Sequence, residues 1–254
     1  MAWDPKIYLN FADERTRPAA ELLARVAFDH PERVIDLGCG PGNSTALLAR
    51  RWPGAALEGL DSSQAMLDEA RKSGVAAQWT LGDIASWTPA QRYDVIFSNA
   101  TLHWVADQET LLPRLMSFLS ANGVLAFQVP CNFNAPSHTL MRAVAADGPW
   151  APKMKNVRDQ VLGTARGYFD ILETHAVALD IWETTYLQIL SGEDAVFRWV
   201  SGTGLRPFLD ALEGAEREAY ISEYKKRLAE AYPMRPSGKV LFPFQRLFVV
   251  ARRG

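Results

Sequence analysis

The chain has 254 residues, of which 48% are hydrophobic and 22% are charged, and its formal net charge is −2. These values are ordinary for a compact globular protein and argue against long disordered segments. A nearly neutral chain has no basic field to attract a polyanion, so nucleic acid is disfavoured as a partner and a small-molecule substrate is favoured. No uninterrupted apolar run approaches the ~20 residues of a membrane span, so we expect no membrane partner and a soluble, cytoplasmic protein.

The first half of the chain alternates between predicted helices and strands. An amphipathic helix over residues 13–28 precedes a strand at Arg33–Leu37 that is apolar on both faces. Four more predicted strands follow at residues 56–61, 77–81, 93–99 and 123–129, with helical segments between most of them. Because parallel strands need a crossover between them, this order predicts an α/β protein with a doubly wound, mostly parallel sheet and helices on both faces.

The pattern changes after residue 130. Residues from about 131–170 are rich in Pro, Asn, Ala and Met and show no strand pattern, and residues 193–232 are again helical. The last two strands are predicted near residues 179–190 and 244–253, which completes a seven-stranded sheet. We therefore expect a single domain over residues 1–254, with the core sheet mainly at residues 30–130 and a helical cap from about 131–170 and 193–232.

A glycine-rich turn follows the first predicted strand. Gly38, Gly40 and Gly42 occupy alternate positions, which lets the turn be tight and lets a ligand approach the backbone at the start of the next helix. A dinucleotide fingerprint requires its third glycine one residue later, where this chain has Asn43. The spacing therefore disfavours a nicotinamide-dependent oxidoreductase, which stays an alternative.

Two acidic residues accompany this turn. Asp36 precedes it and is predicted either to contact the ligand or to hold the turn by accepting hydrogen bonds from its N–H groups. Asp61 ends the second strand about twenty residues further on, where a carboxylate can accept both hydroxyls of a ribose. The competing interpretation of Asp61 is a cap for the helix that follows it.

The motif series resembles that of the class I S-adenosylmethionine-dependent methyltransferases, and it covers residues 33–130 in order. It consists of Asp36-Leu37-Gly38-Cys39-Gly40-Pro41-Gly42, Asp61, Gly82-Asp83-Ile84 and Asp94-Val95-Ile96-Phe97-Ser98-Asn99-Ala100. The resemblance implies a Rossmann-like fold with S-adenosyl-L-methionine as the cofactor. It also implies that the three glycines hold the methionine part and that Asp61 binds the ribose.

The same resemblance assigns the rest of the cofactor site. Asp83 would bind the adenine amino group, Ile84 would lie against the ring, and Asn99 would lie beside the methionine end. The remaining residues predicted to bind the cofactor are Tyr8, Arg15, Asp36 and Ser62. A sulfonium cation is tolerated in a site rich in acids and carbonyls, and the cofactor carboxylate suits a helix N-terminus.

A further resemblance, nearly end to end, is to the members of that family that esterify a small polycarboxylate. The segments that carry it are Trp3–Leu9 with Arg15–Pro18, Asn99–Trp104, Pro136–His138 and Tyr232–Phe244. It implies transfer of the methyl group to one carboxylate of trans-aconitate. A carboxylate is already a nucleophile at pH 7, so this reaction requires no general base and consists of in-line positioning.

A trianionic substrate requires cationic or donor groups near the methyl group. Positioning is assigned to His103, Trp104 and Arg235, and substrate binding to Arg17, His103, His138, Arg235 and Lys239. Arginine is preferred because its planar guanidinium matches a carboxylate with two hydrogen bonds. Each residue also has a structural alternative: packing at a helix start for His103 and Trp104, a helix cap for His138, and a solvated helix face for Arg17.

Other functions stay open at this point. The chain could methylate a different small acceptor, or it could be a non-catalytic S-adenosylmethionine-binding module that engages a protein partner. The oligomeric state is not predicted and no metal is expected. Cys39 and Cys131 follow predicted strands separated by a third, roughly 10 Å apart at ~4.8 Å per strand step. We therefore expect two reduced thiols.

Overall fold

The computed structural model describes residues 12–155, 157 and 163–254, with side chains from Thr16 onward. The described chain forms two compact units. The first comprises residues 12–130, 163–183 and 246–254, and the second comprises residues 131–155, 157 and 184–245.

The described residues form the following elements in chain order. They are α1 (Ala12–Ala24), β1 (Arg33–Leu37), α2 (Asn43–Arg51), β2 (Ala56–Asp61), α3 (Gln64–Lys72), β3 (Gln78–Leu81), β4 (Tyr93–Asn99), a short 3₁₀ helix (Leu102–Trp104), α4 (Gln108–Ser117), β5 (Leu119–Pro130), α5 (Pro136–Ala146), α6 (Ala151–Met154), α7 (Ala165–Leu172), β6 (Ala178–Ser191), α8 (Ala195–Ser201), α9 (Arg206–Asp210), α10 (Gly214–Ala231) and β7 (Lys239–Arg252).

The strands form one seven-stranded sheet in the order β3-β2-β1-β4-β5-β7-β6. The neighbouring strands β3, β2, β1, β4 and β5 are all parallel to one another, whereas β7 runs antiparallel to β5. The prediction of a doubly wound, mostly parallel α/β sheet of seven strands is confirmed. The strand order reverses between β1 and β4, and ligands of such sheets bind beside the carboxyl ends of the strands at this reversal.

The central strands are buried on both faces. Val34, Leu37, Val95 and Phe97 are fully inaccessible to solvent. Strands of this kind have near-continuous apolar sequences because helices cover both faces of a parallel sheet. The apolar pattern of β1 therefore predicted its burial on both faces correctly, and β4 shares that burial.

The first helix is attached to α2 by side-chain hydrogen bonds. The guanidinium of Arg51 donates to the carbonyls of Leu23 and Val26, both at 2.7 Å, and the Trp52 indole donates to the carbonyl of Phe28 at 2.9 Å. Leu23 lies in the last turn of α1, and Val26 and Phe28 lie in the segment that follows it, so these bonds join the C-terminal end of α1 and the chain after it to the C-terminal end of α2.

Several boundaries differ from the sequence-based expectation. The first helix includes Pro18 and ends at Ala24 rather than at residue 28. The last strand begins at Lys239, five residues earlier than expected, with Pro243 inside it. Proline argues against a strand in sequence analysis because it cannot donate to the sheet. The helices α6, α7 and α9 were not predicted individually.

The second unit contains α5 and α10, which are joined by buried tyrosines. Tyr224 donates its hydroxyl to the carbonyl of Ser137 at 2.6 Å, and Tyr220 donates to the carbonyl of Met141 at 3.1 Å. The Tyr232 hydroxyl accepts the backbone N–H of Ser137, which lies in the first turn of α5. Helices account for the regular structure between residues 131 and 172 in the described part of the chain, as expected for that region.

No helix in the described ranges has both the length and the apolar character needed to cross a membrane.

Candidate active site

A cavity opens in the first unit at the carboxyl ends of β1, β2 and β4. The empty space inside it is about 820 Å³, including open solvent at its mouth. The residues that line it are Gly38, Gly40, Asp61, Ser62, Met66, Gly82, Asp83, Ile84, Asn99, Ala100, Thr101, Trp104 and Val105. The cavity thus lies where the strand order reverses, the place at which such sheets bind ligands.

The glycine turn forms one wall of this cavity. Gly38 and Gly40 have positive φ angles of 71° and 54°. A Cβ atom on Gly38 would lie 2.2 Å from the Thr101 side chain, whereas a Cβ on Gly40 would meet nothing within 4 Å. Gly38 therefore permits a close approach between two loops, and Gly40 leaves bare backbone beside open space. Gly42 is not among the residues that line the cavity and is instead the N-cap residue of α2.

Asp36 occupies a different position from the one predicted. It is fully buried and does not line the cavity, so a direct contact with a cofactor is not supported. Its Oδ2 atom accepts hydrogen bonds from the hydroxyls of Ser44 and Thr45, both at 2.7 Å. The carboxyl group therefore ties β1 to the first turn of α2, through hydroxyls rather than through the N–H groups of the turn. Burial raises the pKa of Asp36 to about 6, although these hydrogen bonds oppose the shift.

Asp61 lines the cavity, and two backbone hydrogen bonds fix its carboxyl group. Oδ2 accepts the N–H of Gly40 and Oδ1 accepts the N–H of Ser63, both at 2.8 Å. A carboxylate oxygen can accept more than one hydrogen bond, so both atoms can still accept from ligand hydroxyls. The helix-cap alternative falls to Ser63, whose hydroxyl accepts the N–H of Met66. Burial raises the pKa of Asp61, and its backbone hydrogen bonds oppose the shift.

The wall that follows β3 contains Asp83 and Ile84. Ile84 is buried, whereas Asp83 is exposed and its Oδ1 atom accepts the N–H of Ala85 at 2.9 Å. Arg114 on α4 donates to the carbonyls of Ile84 at 2.7 Å and Trp87 at 3.0 Å. Sequence analysis missed this supporting arginine because the contact joins residues about thirty positions apart.

Asn99 lines the opposite side of the cavity at the end of β4. Its Oδ1 atom accepts a hydrogen bond from Gln128, and the amide oxygen of Gln128 accepts one from Arg246 at 3.1 Å. Gln128 and Arg246 were not predicted, although both are buried. A polar residue within an apolar strand pattern is the signal that could have identified them.

Trp104 lines the cavity as expected, but His103 does not. His103 is only 3% exposed, and its ring centre lies 5.0 Å from that of Trp104. The prediction that His103 contacts the substrate is therefore not supported, and its packing against Trp104 agrees with the structural alternative.

The other predicted residues lie elsewhere or outside the described residues. Tyr8 and the side chain of Arg15 are outside them. Arg17 is exposed on α1 and bonded to Glu21 at 2.8 Å. The cavity is formed by the first unit, whereas His138, Arg235 and Lys239 belong to the second.

Within the second unit these three residues differ in exposure. His138 is 5% exposed, and its Nδ1 atom is hydrogen-bonded to the Ser137 hydroxyl at 3.1 Å. Arg235 and Lys239 are exposed, and the N–H of Arg235 donates to the carbonyl of Lys239 at 2.8 Å. Burial thus agrees with a helix-start role for His138, whereas Arg235 and Lys239 are accessible to an anion.

Both cysteines are free, as expected. Burial raises the pKa of the Cys39 thiol above its usual range, so this group is an uncharged thiol rather than a nucleophile. Among the described residues, no group of three or more His, Cys, Asp and Glu side chains is placed to hold a metal ion.

Fold and cavity together define a Rossmann-like protein with a site for a nucleoside-containing cofactor. The family model of the methyltransferase domain matches residues 11–166. Curated relatives named trans-aconitate 2-methyltransferase include one from Azoarcus sp. (strain BH72), 49% identical over 99% of both chains, and one from Escherichia coli (strain K12 / DH10B), 46% identical over 99% of this chain and 98% of the relative.

Solved structures with the same fold have little sequence identity. The YcgJ protein of Bacillus subtilis is 14% identical with a TM-score of 0.61, covering 93% of this chain and 98% of that one. The plantazolicin methyltransferase BpumL, solved with SAH, is 16% identical with a TM-score of 0.52, covering 98% and 90%. The chain belongs to the S-adenosylmethionine-dependent methyltransferases, and its cofactor is S-adenosylmethionine.

The described lining fits this cofactor. Asp61 supplies acceptors for ribose hydroxyls, Ile84 supplies an apolar surface for a base, and Gly40 leaves backbone open to the cavity. The carboxyl groups of Asp61 and Asp83 also bring negative charge to the part of the cavity that follows β2 and β3, and negative charge suits a sulfonium cation.

Replacement of Asp61 by asparagine tests the ribose contact. Asp61→Asn keeps the shape of the side chain but replaces one acceptor oxygen with a donor, so we expect S-adenosylhomocysteine to bind about tenfold more weakly or worse. Calorimetric titration measures the affinity. Asp68→Asn on the exposed face of α3 is the matched control. An unchanged affinity in folded Asp61→Asn protein would contradict the assignment.

Replacement of Asp36 by asparagine tests its buried, titrating carboxyl group. Its pKa rises from 3.8 to about 6 in the folded chain, so between these pH values the folded state binds more protons than the unfolded state. The free energy of unfolding of the wild type therefore falls as pH rises through this window, and Asp36→Asn removes that contribution. The free energy of unfolding of the variant minus that of the wild type should therefore increase by about 1 to 3 kcal/mol from pH 4 to pH 7.

Urea unfolding at several pH values measures this difference, with Asp68→Asn again as the control. A difference between variant and wild type that does not change with pH would show that Asp36 does not titrate in this range.

Proposed function

We propose that the protein transfers the methyl group of S-adenosylmethionine to one carboxylate of trans-aconitate. The observation that carries the proposal is the extent of the similarity to the curated relatives: 46% to 49% identity over 98% or more of both chains. This similarity extends through the second unit, to which three of the five residues predicted to bind the substrate belong. A shared cofactor site alone would account for similarity only in the first unit.

The first unit supplies the residues proposed to hold the cofactor, which when bound provides an electrophilic methyl group on sulfur. Asp61 accepts the ribose hydroxyls, Ile84 packs against the adenine ring, and Asp83 accepts from the adenine amino group. The backbone at Gly38 and Gly40 lies along the methionine part. This division agrees with the lining of the cavity, in which acceptors and an apolar residue lie on the side of β2 and β3.

The proposed acceptor needs no deprotonation. A carboxyl group with a pKa near 4 is ionised at pH 7, so a lone pair of its oxygen can form the new C–O bond directly. Such a transfer would break the C–S bond of the cofactor at the same time and leave the electron pair on sulfur, and it would require no proton transfer by any side chain. The protein then contributes position and exclusion of water, with the attacking oxygen ~3 Å behind the methyl carbon.

The second unit offers exposed cations for the other carboxylates. Arg235 and Lys239 border a tight turn in which the N–H of Gly238 donates to the carbonyl of Arg235 at 2.9 Å. We propose that Arg235 binds a substrate carboxylate, with Lys239, Arg17 and His138 as further candidates. The guanidinium favours Arg235, because it binds a carboxylate through two parallel hydrogen bonds. Trp104 then covers the reacting end of the cavity.

Incubation of the purified protein with S-adenosylmethionine and trans-aconitate tests the reaction. We expect one methyl ester and an equal amount of S-adenosylhomocysteine, and NMR of the product identifies the carboxylate that was methylated. Reactions with citrate, cis-aconitate and other small di- and tricarboxylates are the controls. Methyl transfer to another acid in preference to trans-aconitate would identify a different small acceptor. No transfer to any of them would exclude the proposed activity.

Replacement of Arg235 tests its role in substrate binding. Arg235→Ala should raise KM for trans-aconitate about tenfold or more, since it removes a charge-assisted pair of hydrogen bonds. Affinity for S-adenosylhomocysteine should stay unchanged, and Arg235→Lys should recover part of the loss. Lys226→Ala, an exposed cation on α10, is the control. Equal KM values for wild type and Arg235→Ala would remove Arg235 from the proposed site.

A further inference from the structure

A row of three buried polar side chains crosses adjacent strands beside the cavity. Asn99 on β4, Gln128 on β5 and Arg246 on β7 are 9%, 0% and 4% exposed. The backbone register places Asn99 opposite Gln128, and Arg246 opposite Pro130, two residues further along β5. All three residues belong to the first unit, and only Asn99 among them lines the cavity.

The hydrogen bonds in this row have one possible direction. Arginine has donors and no acceptor, so the group of Gln128 that faces Arg246 must be its amide oxygen. The amide NH₂ of Gln128 consequently faces Asn99, whose side-chain oxygen accepts from it. The oxygen and the nitrogen lie on opposite sides of the planar amide, so with its oxygen turned to Gln128 the group that Asn99 directs away from Gln128 is its Nδ2 donor. Arg246 on β7 therefore determines how the side-chain amide of Asn99 is oriented on β4, two strands away.

Gln128 also holds the backbone next to Asn99. Its carbonyl accepts the N–H of Ala100 at 2.9 Å. Ala100 has a φ angle of 55°, a left-handed conformation that is unfavourable for a residue with a Cβ atom. Gln128 thus fixes both the side chain of Asn99 and the strained residue after it, at the point where β4 ends in the cavity.

This row is a costly way to fill the interior. Burying an arginine and an amide removes them from water, and apolar side chains of similar size often fill such a layer at no loss of stability. What the polar row adds is a fixed hydrogen-bond direction. A donor in the cavity suits a carboxylate oxygen, which accepts hydrogen bonds only.

We propose that Arg246 and Gln128 are positioning residues that fix Asn99 as a hydrogen-bond donor to a carboxylate oxygen in the cavity. Two molecules of the reaction carry such a group: the methionine end of the cofactor and, resting on the proposed function, the acceptor acid. Arg246 and Gln128 touch neither; they act through Asn99.

Gln128→Glu reverses the direction of the row with little change in shape. The new carboxylate still accepts from Arg246 and, beside this cation, stays ionised, but it cannot donate to Asn99. The amide of Asn99 must then turn its nitrogen toward residue 128 and its oxygen toward the cavity. Asn99→Asp replaces the donor directly and serves as the second variant. Gln78→Glu, at an exposed position of β3 in the same sheet, is the control for the change in charge.

Binding by calorimetry uses two ligands that differ in the amino acid end, which carries the carboxylate and an ammonium group; turning the oxygen of Asn99 toward the cavity weakens contact with a carboxylate but would strengthen contact with an ammonium group. S-adenosylhomocysteine carries the amino acid end, whereas 5′-methylthioadenosine lacks it. If Asn99 binds the cofactor carboxylate, Gln128→Glu should lower the affinity for S-adenosylhomocysteine about tenfold and leave the affinity for 5′-methylthioadenosine unchanged. If it binds the acceptor, both affinities should be unchanged while KM for trans-aconitate rises about tenfold. Either result supports the proposal.

Two results would overturn it. One is that neither S-adenosylhomocysteine affinity nor KM changes in Gln128→Glu and Asn99→Asp. The other is that the affinities for S-adenosylhomocysteine and 5′-methylthioadenosine fall by the same factor, which indicates general damage to the cavity. Should Gln128→Glu fail to fold, Asn99→Asp decides with the same ligands. Arg246→Lys, which retains a cationic donor, is further expected to bind S-adenosylhomocysteine more tightly than Arg246→Met when the cofactor carboxylate is the partner.

The two proposals fail separately. A wild-type protein that leaves trans-aconitate unmethylated disproves the proposed function, while the comparison of S-adenosylhomocysteine with 5′-methylthioadenosine still decides the role of the row. In that case an unchanged S-adenosylhomocysteine affinity in the variants overturns the inference.

Discussion

The close approach of the chain after β1 to the chain after β4 is the constraint on which the site depends. No side chain fits at Gly38, because the space is taken by Thr101. The hydroxyl of Thr101 donates to the carbonyl of Gly38 at 3.2 Å, and Ser98 donates to the carbonyl of Leu37 at 2.8 Å. These contacts join the two strands at the reversal of the sheet. The bare backbone of Gly40 and the end of β4 can therefore line one cavity.

The cavity combines groups of opposite character in a way that matches its cofactor. Asp61 and Asp83 bring acceptors and negative charge to the lining, and the polar row that ends at Asn99 is proposed to add a donor. S-adenosylmethionine has hydroxyls and a cationic sulfur as well as a carboxylate, so one molecule needs both kinds of partner.

Sequence analysis predicted the parts of the site that depend on local order. A glycine turn after a buried strand, and Asp61 and Asp83 after later strands, must come together once the sheet is parallel. Sequence could not choose between the two roles predicted for Asp36, because an acid at a strand end looks the same whether it faces a ligand or bonds to hydroxyls of the next helix; the buried carboxyl favours the second. Arg246 and Gln128 were missed because their contact depends on the antiparallel register of β7 against β5. The substrate residues stay predictions.

Hydrogen bonds from Arg114 connect the loop after β3, which forms one wall of the cavity, to α4. Ile84 is held through its carbonyl by a residue of α4, so the wall follows that helix and not only its own strand. Substitutions within α4 can therefore move the surface assigned to the adenine ring without altering any group assigned to the methyl transfer. For protein engineering, this makes α4 the element to redesign for cofactor analogues with an enlarged base.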